Sequence, residues 1–157
     1  MKLVETIKDI ISETVTKEKL SDLIVAATLF GEAGGEGETG MKAVANVIKN
    51  RSISKNQTPK EVVLKPKQFS MWNNLTDLTS RIKYIKSIKE RAKKNPADKQ
   101  AWETAKSLVS THINQQGDDN TKGAQYYHTL KIFPKWASKV EYTTTIGNHK
   151  FYKPKKV

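Results

Sequence analysis

From Leu3 to His112 the apolar residues recur at three- and four-residue intervals, and beyond Lys122 they no longer do. A helix buries one face every 3.6 residues and a half-buried strand every second residue, so this change of period limits the chain to a helical body followed by a small β element. Leu3, Ile7, Ile10 and Ile11 predict a short amphipathic helix over 3–15. Leu20, Leu23, Ile24, Ala27 and Phe30 predict a second from about 20 to 33, with Ser21 and Asp22 as capping residues near its start and Gly34-Gly35 as its stop. Met41, Val44, Ala45 and Ile48 fall at i, i+3, i+4, i+7 and predict a third over about 39–51. Thr58-Pro59-Lys60-Glu61 reads as a capping box with proline in the first turn, opening a short helix through Leu64. Residues 65–74 read as loop, 77–94 as helix, and Asn95-Pro96 restarts a helix that runs to about 111. Asn114 to Lys122 is polar loop. Val140–Ile146 and His149–Tyr152 then flank Gly147-Asn148, a two-residue hairpin signal. The expected fold class is α+β, mainly helical, with a small C-terminal β-hairpin.

At 157 residues the chain is expected to form a single domain over 1–157. Residues 1–20 read as a helical extension, 21–153 as the core and 154–157 as a basic tail. There is no cysteine, which excludes disulfides and thiolate chemistry. The 28 basic and 16 acidic residues give a formal net charge of +12, a field that attracts polyanions such as nucleic acid, an anionic membrane or an anionic cell wall. The first twenty residues are interrupted by acidic side chains and are not expected to act as a secretory signal. No run approaches the ~20 apolar residues of a membrane span, so membrane insertion is not expected. A monomer is assumed, made in the cytoplasm.

Glu32 ends an apolar helix just before Gly34-Gly35. The negative end of the helix dipole disfavours a carboxylate there, and burial against Phe30 or Leu29 would act in the same direction. Both raise the pKa, as a general acid working near neutrality requires. The alternative is a surface glutamate at a frayed helix end. Glu36 and Glu38 follow closely and offer a second carboxylate, whose distance from the first would suit a retaining or an inverting glycosidase. Either one also suits the start of the next helix, the preferred reading for Glu38. His112, His128 and His149 form no HExxH or other dense ligand pattern, so neither a metal nor an organic cofactor is implied. The aromatic residues of the last third, with Gln125 and His128, suit sugar rings or nucleic-acid bases, and equally a packed hairpin core.

Phe30-Gly31-Glu32-Ala33-Gly34-Gly35-Glu36, then Gly40, Ala43-Val44-Ala45, Val47 and Asn50-Arg51, resembles the opening motif of cell wall hydrolases of the spore-cortex-lytic-enzyme type. The resemblance continues through Gln68-Phe69-Ser70, Trp102 with Ala105, Gly123-Ala124, Tyr127-His128, Pro134, Trp136, Ile146-Gly147-Asn148-His149 and Phe151-Tyr152. It implies a lysozyme-like helical domain with a small β element, and a peptidoglycan glycosidase acting between N-acetylmuramic acid and N-acetylglucosamine. It makes Glu32 the catalytic acid and puts Glu36 in the second catalytic position, with Gln68, Ser70, Tyr127 and His128 as substrate-binding residues. His149 is expected to order the hairpin. Lytic transglycosylation is the expected chemistry; a hydrolytic muramidase using Glu36 is the alternative. Members of this family usually carry a signal peptide and a peptidoglycan-binding domain, so a basic chain read without either is expected to be a phage endolysin or a virion-associated lysin. Anionic cell wall polymers are expected partners through charge. A nucleic-acid-binding protein or a non-cutting virion protein are the rival classes; the first lacks a recognisable nucleic-acid-binding motif. An amidase or endopeptidase lacks a visible metal triad or nucleophile.

Overall fold

The structure, a computed structural model, describes residues 17–156. The helix expected over 3–15 lies outside these residues. Among the described residues, α1 (Lys17–Ala33) and α2 (Gly37–Lys55) are joined by a single 3-10 turn, Gly34–Glu36. A short α3 (Pro59–Leu64) follows, then a 3-10 turn at Ser70–Trp72, α4 (Leu78–Lys94) and α5 (Pro96–Leu108). The last helix does not run on to 111 as α-helix: it widens into a π-helical turn at Val109–Ile113. The expected caps at Ser21 and Asp22 are corrected, because the helix already runs from Lys17. Asp22 instead accepts a hydrogen bond from Asn114 Nδ2 at 3.1 Å, tying α1 to the end of the π turn.

Burial explains the layering. In α1, Ile24 through Ala27 and Leu29, Phe30 and Ala33 are all buried, and in α2 Met41, Ala43, Val44, Ala45, Val47 and Ile48 are too. Helices apolar on nearly every side belong in the centre. α4 buries only the stripe Ile82, Ile85, Ile88 and Ala92, and α5 only Ala101, Trp102, Ala105 and Leu108. These two lie on the outside, α5 packing on both α1 and α4. The Thr58 capping box forms as expected, with Glu61 N–H donating to Thr58 Oγ1 and Thr58 N–H to Glu61 Oε1.

The β element is larger than a hairpin. β1 (Tyr126–Thr129), β2 (Glu141–Ile146) and β3 (His149–Lys153) form an antiparallel sheet in the order β1-β3-β2. β3 is therefore the central strand, with Tyr127 opposite Phe151 and Ile146 opposite His149. Gly147 takes φ +55° at the first turn position while Asn148 does not, the arrangement of a type II′ turn. A bulge between Tyr142 and Thr144 turns Thr143 Oγ1 to donate to the carbonyl of Thr121 at 2.7 Å. The sheet docks on α2 through Phe151, Ala124, Ala43 and Val47, where small side chains on the helix allow close approach.

Candidate active site

Asn46 and the motif residues Asn50 and Arg51 of α2 deliver β1 to its place. Asn50 Nδ2 donates to Asp119 Oδ2 and to the carbonyl of Ala124, both at 2.9 Å, and Asn46 Nδ2 donates to the carbonyl of Asp118 at 3.1 Å. Burial pushes the Asp119 carboxyl up, but hydrogen bonds from Thr121, Asn50 and Gly123 outweigh it and hold the group below its usual range. Arg51 Nε donates to the carbonyl of Gln125 at 2.5 Å, fixing the residue just before the strand. The loop from Asp118 to Gln125 is thus held to one helix by polar side chains, and β1 emerges in register.

Strand alternation then decides which side chains meet α1. Tyr127, His149 and Phe151 point to the inner face; the Tyr127 ring stacks on Phe151 at 5.5 Å and meets His149 edge-on at 5.4 Å. The Tyr127 hydroxyl donates to Glu32 Oε1 at 2.8 Å. Glu32 is half-buried at the end of α1. Burial raises its carboxyl above the ordinary 4.5, opposed by the Tyr127 hydrogen bond and by the nearby His149 and Arg51, and reinforced by Glu36. Burial dominates. Burial also holds the Tyr127 phenol well above its usual range, helped by the charge of Glu32, so this hydroxyl stays a donor.

Glu36 lies one helical step further on, in the 3-10 turn, and His149 Nδ1 sits 3.0 Å from its Oε1. Gly40 makes this placement possible: a Cβ there would lie 2.7 Å from the Cβ of Glu36. Tyr84 of α4 is close enough to Glu32 for the carboxylate to help raise its phenol, although burial is the larger cause. Arg51 is near enough for the Glu32 charge to act on it, and its Nη1 donates to Gln68 Oε1 at 3.2 Å.

The residues singled out in the sequence divide accordingly. Glu32, Glu36 and Tyr127 converge, and Gln68 adjoins them through Arg51, with its carbonyl oxygen already engaged. Ser70 is exposed on the neighbouring turn and makes none of these contacts. His128 is placed away from the cluster, on the outer face of the sheet, stacked on Tyr152 at 5.2 Å with Nε2 2.8 Å from the Tyr152 hydroxyl. Alternation forces this, since its neighbour Tyr127 faces inward. His149, Arg51 and Tyr84 join the site although the sequence reading gave them no part in its chemistry. For His149 and Arg51 the available signal was their place in the motif segments; for Tyr84 there was none.

Thr129, Leu130, Lys131, Asn148, Glu36 and His149 line a cavity of about 340 Å³ beside this cluster. Among the described residues no three His, Asp or Glu side chains converge as metal ligands, and no helix is long and apolar enough to cross a membrane. Chemically the cluster is a raised carboxyl with a fixed hydroxyl donor, next to a second carboxylate held by histidine.

The catalytic domain of the germination-specific lytic transglycosylase SleB from Bacillus anthracis is similar in structure, with a TM-score of 0.59 and 29% identity over 85% of this chain and 93% of that one. Its helical domain with a small antiparallel sheet is the lysozyme-like fold expected from the sequence. No curated protein sequence matches the chain. The family model described as Cell Wall Hydrolase matches residues 35–152, most of the chain, from within the 3-10 turn into the last strand of the sheet. The chain belongs to the cell wall hydrolase family, enzymes that break down the cell wall.

Proposed function

We propose that this enzyme cleaves the β-1,4 bond between N-acetylmuramic acid and N-acetylglucosamine in peptidoglycan, by lytic transglycosylation with Glu32 as its acid. The observation that carries the reading is the half-buried Glu32 carboxyl with its raised pKa and the Tyr127 hydroxyl 2.8 Å from one oxygen. The family match begins three residues after Glu32, so the assignment stands on this geometry and on the sequence resemblance. The SleB name adds that a structurally similar domain is a lytic transglycosylase.

In the proposed reaction Glu32, protonated on Oε2, gives its proton to the glycosidic oxygen as the bond to the muramic anomeric carbon breaks. The N-acetylglucosamine hydroxyl leaves, and positive charge develops on the muramic ring. The new carboxylate of Glu32 is stabilised by the Tyr127 hydroxyl and by the positive charge of Arg51. The muramic 6-hydroxyl then attacks the anomeric carbon and returns its proton to Glu32, closing a 1,6-anhydro ring. One carboxylate serves as acid and then base, and the site returns to its starting state.

Hydrolysis needs a second group to activate water. Glu36 is the available carboxylate, but its Oε1 is engaged by His149, which favours the intramolecular route. We place the activity in bacteriolysis, as an endolysin or virion-associated lysin. The basic surface, suited to an anionic wall, supports that setting.

Purified peptidoglycan treated with the wild type and with Glu32→Gln, with soluble products identified by mass spectrometry, tests the reading. Muropeptides with 1,6-anhydro ends from the wild type and none from the variant are expected. Reducing muramic ends would replace transglycosylation by hydrolysis. Equal release by the variant would remove Glu32 from the mechanism.

A further inference from the structure

The alternation that sends Tyr127 to the catalytic cluster sends Tyr126, His128 and Tyr152 to the opposite face of the sheet. Trp136, from the 3-10 turn Lys135–Lys139, packs against all three, with ring centroids 5.6–5.9 Å apart. Tyr142 meets Tyr152 edge-on at 6.0 Å, and Phe133 meets His128 at 6.1 Å. This cluster is open at its margin: Phe133 is 71% exposed, Tyr142 52% and Trp136 37%. Interlocked rings of this kind are more than a sheet of three short strands needs on a solvent face, where polar residues normally alternate with the core-facing ones.

The charge around the patch is one-sided. Residues 122–156 carry eight lysines and a single acidic residue, Glu141, which Lys153 pairs at 3.1 Å. Lys150 Nζ lies 6.0 Å from the centre of the Tyr142 ring. The patch also joins the cleft through one short stretch of chain. Thr129 to Lys131 line the cavity beside Glu36 and His149, and Phe133 and Trp136 follow on the outer face.

We infer that this face is a second, non-catalytic binding site for a peptidoglycan glycan strand. The inference rests on the chain acting on peptidoglycan and not on which residue cuts it. Pyranose rings offer flat C–H faces to tyrosine and tryptophan, whose apolar bodies and polar tips suit a half-wet surface. The carboxylates of the stem peptides meet the lysines. Rings packed 5–6 Å from one another leave no slot for a nucleic-acid base, so the face suits a ligand that lies across it. Two copies of the chain would bring like charges together here.

The test is co-sedimentation of the Glu32→Gln protein with purified sacculi from which phosphate-bearing polymers have been stripped by acid. Adding Trp136→Ala with Tyr142→Ala is expected to weaken binding about tenfold or more, the loss of a stacking platform. Lys150→Glu is expected to weaken it and flatten its salt dependence. Phe133→Ser, changed on an exposed loop, serves as the probe if the double variant fails to fold by circular dichroism. Unchanged binding in these variants overturns the inference. So does binding that disappears on stripping, which would make a phosphate polymer the ligand, or a Trp136-dependent dimer in sedimentation, which would make the face a contact between copies. Residual cutting by Glu32→Gln would count against the catalytic assignment alone, since the variants are compared for binding within that background.

Discussion

Replacing Tyr127 by phenylalanine removes one oxygen from the site and keeps the ring, with its 5.5 Å stack on Phe151 and 5.4 Å contact with His149. The lost hydroxyl donates to Glu32 at 2.8 Å. Against a neutral carboxyl this is an ordinary hydrogen bond, but against the carboxylate it is charge-assisted, of the kind contributing about 1.5–3 kcal/mol. Under the proposed mechanism that charge appears as the glycosidic bond breaks, so the bond strengthens on the way to the transition state. Since kcat feels only the gain over the ordinary bond of about 1 kcal/mol, some 0.5–2 kcal/mol, and a decade costs about 1.4 kcal/mol, its loss is expected to lower kcat about two- to thirtyfold. The pH profile supplies the sign. The hydroxyl now lowers the pKa of Glu32 against the upward push of burial, so without it Glu32 holds its proton to higher pH. The alkaline limb of activity is therefore expected to move to higher pH while the rate falls. The assay is the rate of soluble muropeptide release from sacculi at saturating substrate, measured across pH, with circular dichroism to verify the fold. An unchanged rate, or a limb that moves toward acid, refutes the reasoning.

Two further outcomes are expected. Glu32→Gln should become more stable relative to the wild type as pH rises: the raised folded-state value means that the native protein holds this proton more tightly than the unfolded chain, so stability is lost on passing from the ordinary 4.5 upward through the raised value. Urea unfolding of both proteins at acid and neutral pH checks this, and a difference independent of pH would contradict it. Thr28→Val should cost about 1–3 kcal/mol, because the buried Trp72 Nε1–H that donates to Thr28 Oγ1 at 2.9 Å loses its acceptor. The same unfolding measurement reads it, and a neutral substitution would mean that the indole finds another partner.

How much of this was legible in the sequence depends on the range of the interaction. The helices could be read because their signals are local: the stripe of Ile82, Ile85 and Ile88 and the Thr58–Glu61 box lie within one or a few turns. The hairpin could be read from Gly147-Asn148 and the β-branched residues before it. β1 could not, since Tyr126-Tyr127-His128-Thr129 has aromatic or polar side chains on both faces and no apolar alternation. Its pairing with β3 comes from the Asn50 and Arg51 clamps on the preceding loop, which no local pattern announces. The π turn was hidden because Leu108, His112 and their neighbours continue the α-helical stripe. At the site, the glutamate and tyrosine were marked by their motifs. The split of Tyr127 and His128 onto opposite faces required knowing that residues 126–129 are a strand, and the engagement of Glu36 by His149 joins positions too far apart for spacing to suggest.

The Glu32–Tyr127 hydrogen bond joins residues 95 positions apart, whereas the hydrogen bonds that build each helix join residues four apart. Local contacts form early and distant ones late, because closing a long loop costs entropy before any contact is gained. The helical body is therefore expected to gather first, with Glu32 still wet and as weakly held as a free side chain. Glu32 is expected to acquire its altered protonation only when the last thirty or so residues fold back and close the sheet against α2. Wall-degrading activity is then expected of the finished molecule alone: a chain caught part-way through refolding can be strongly helical and yet harmless to a wall.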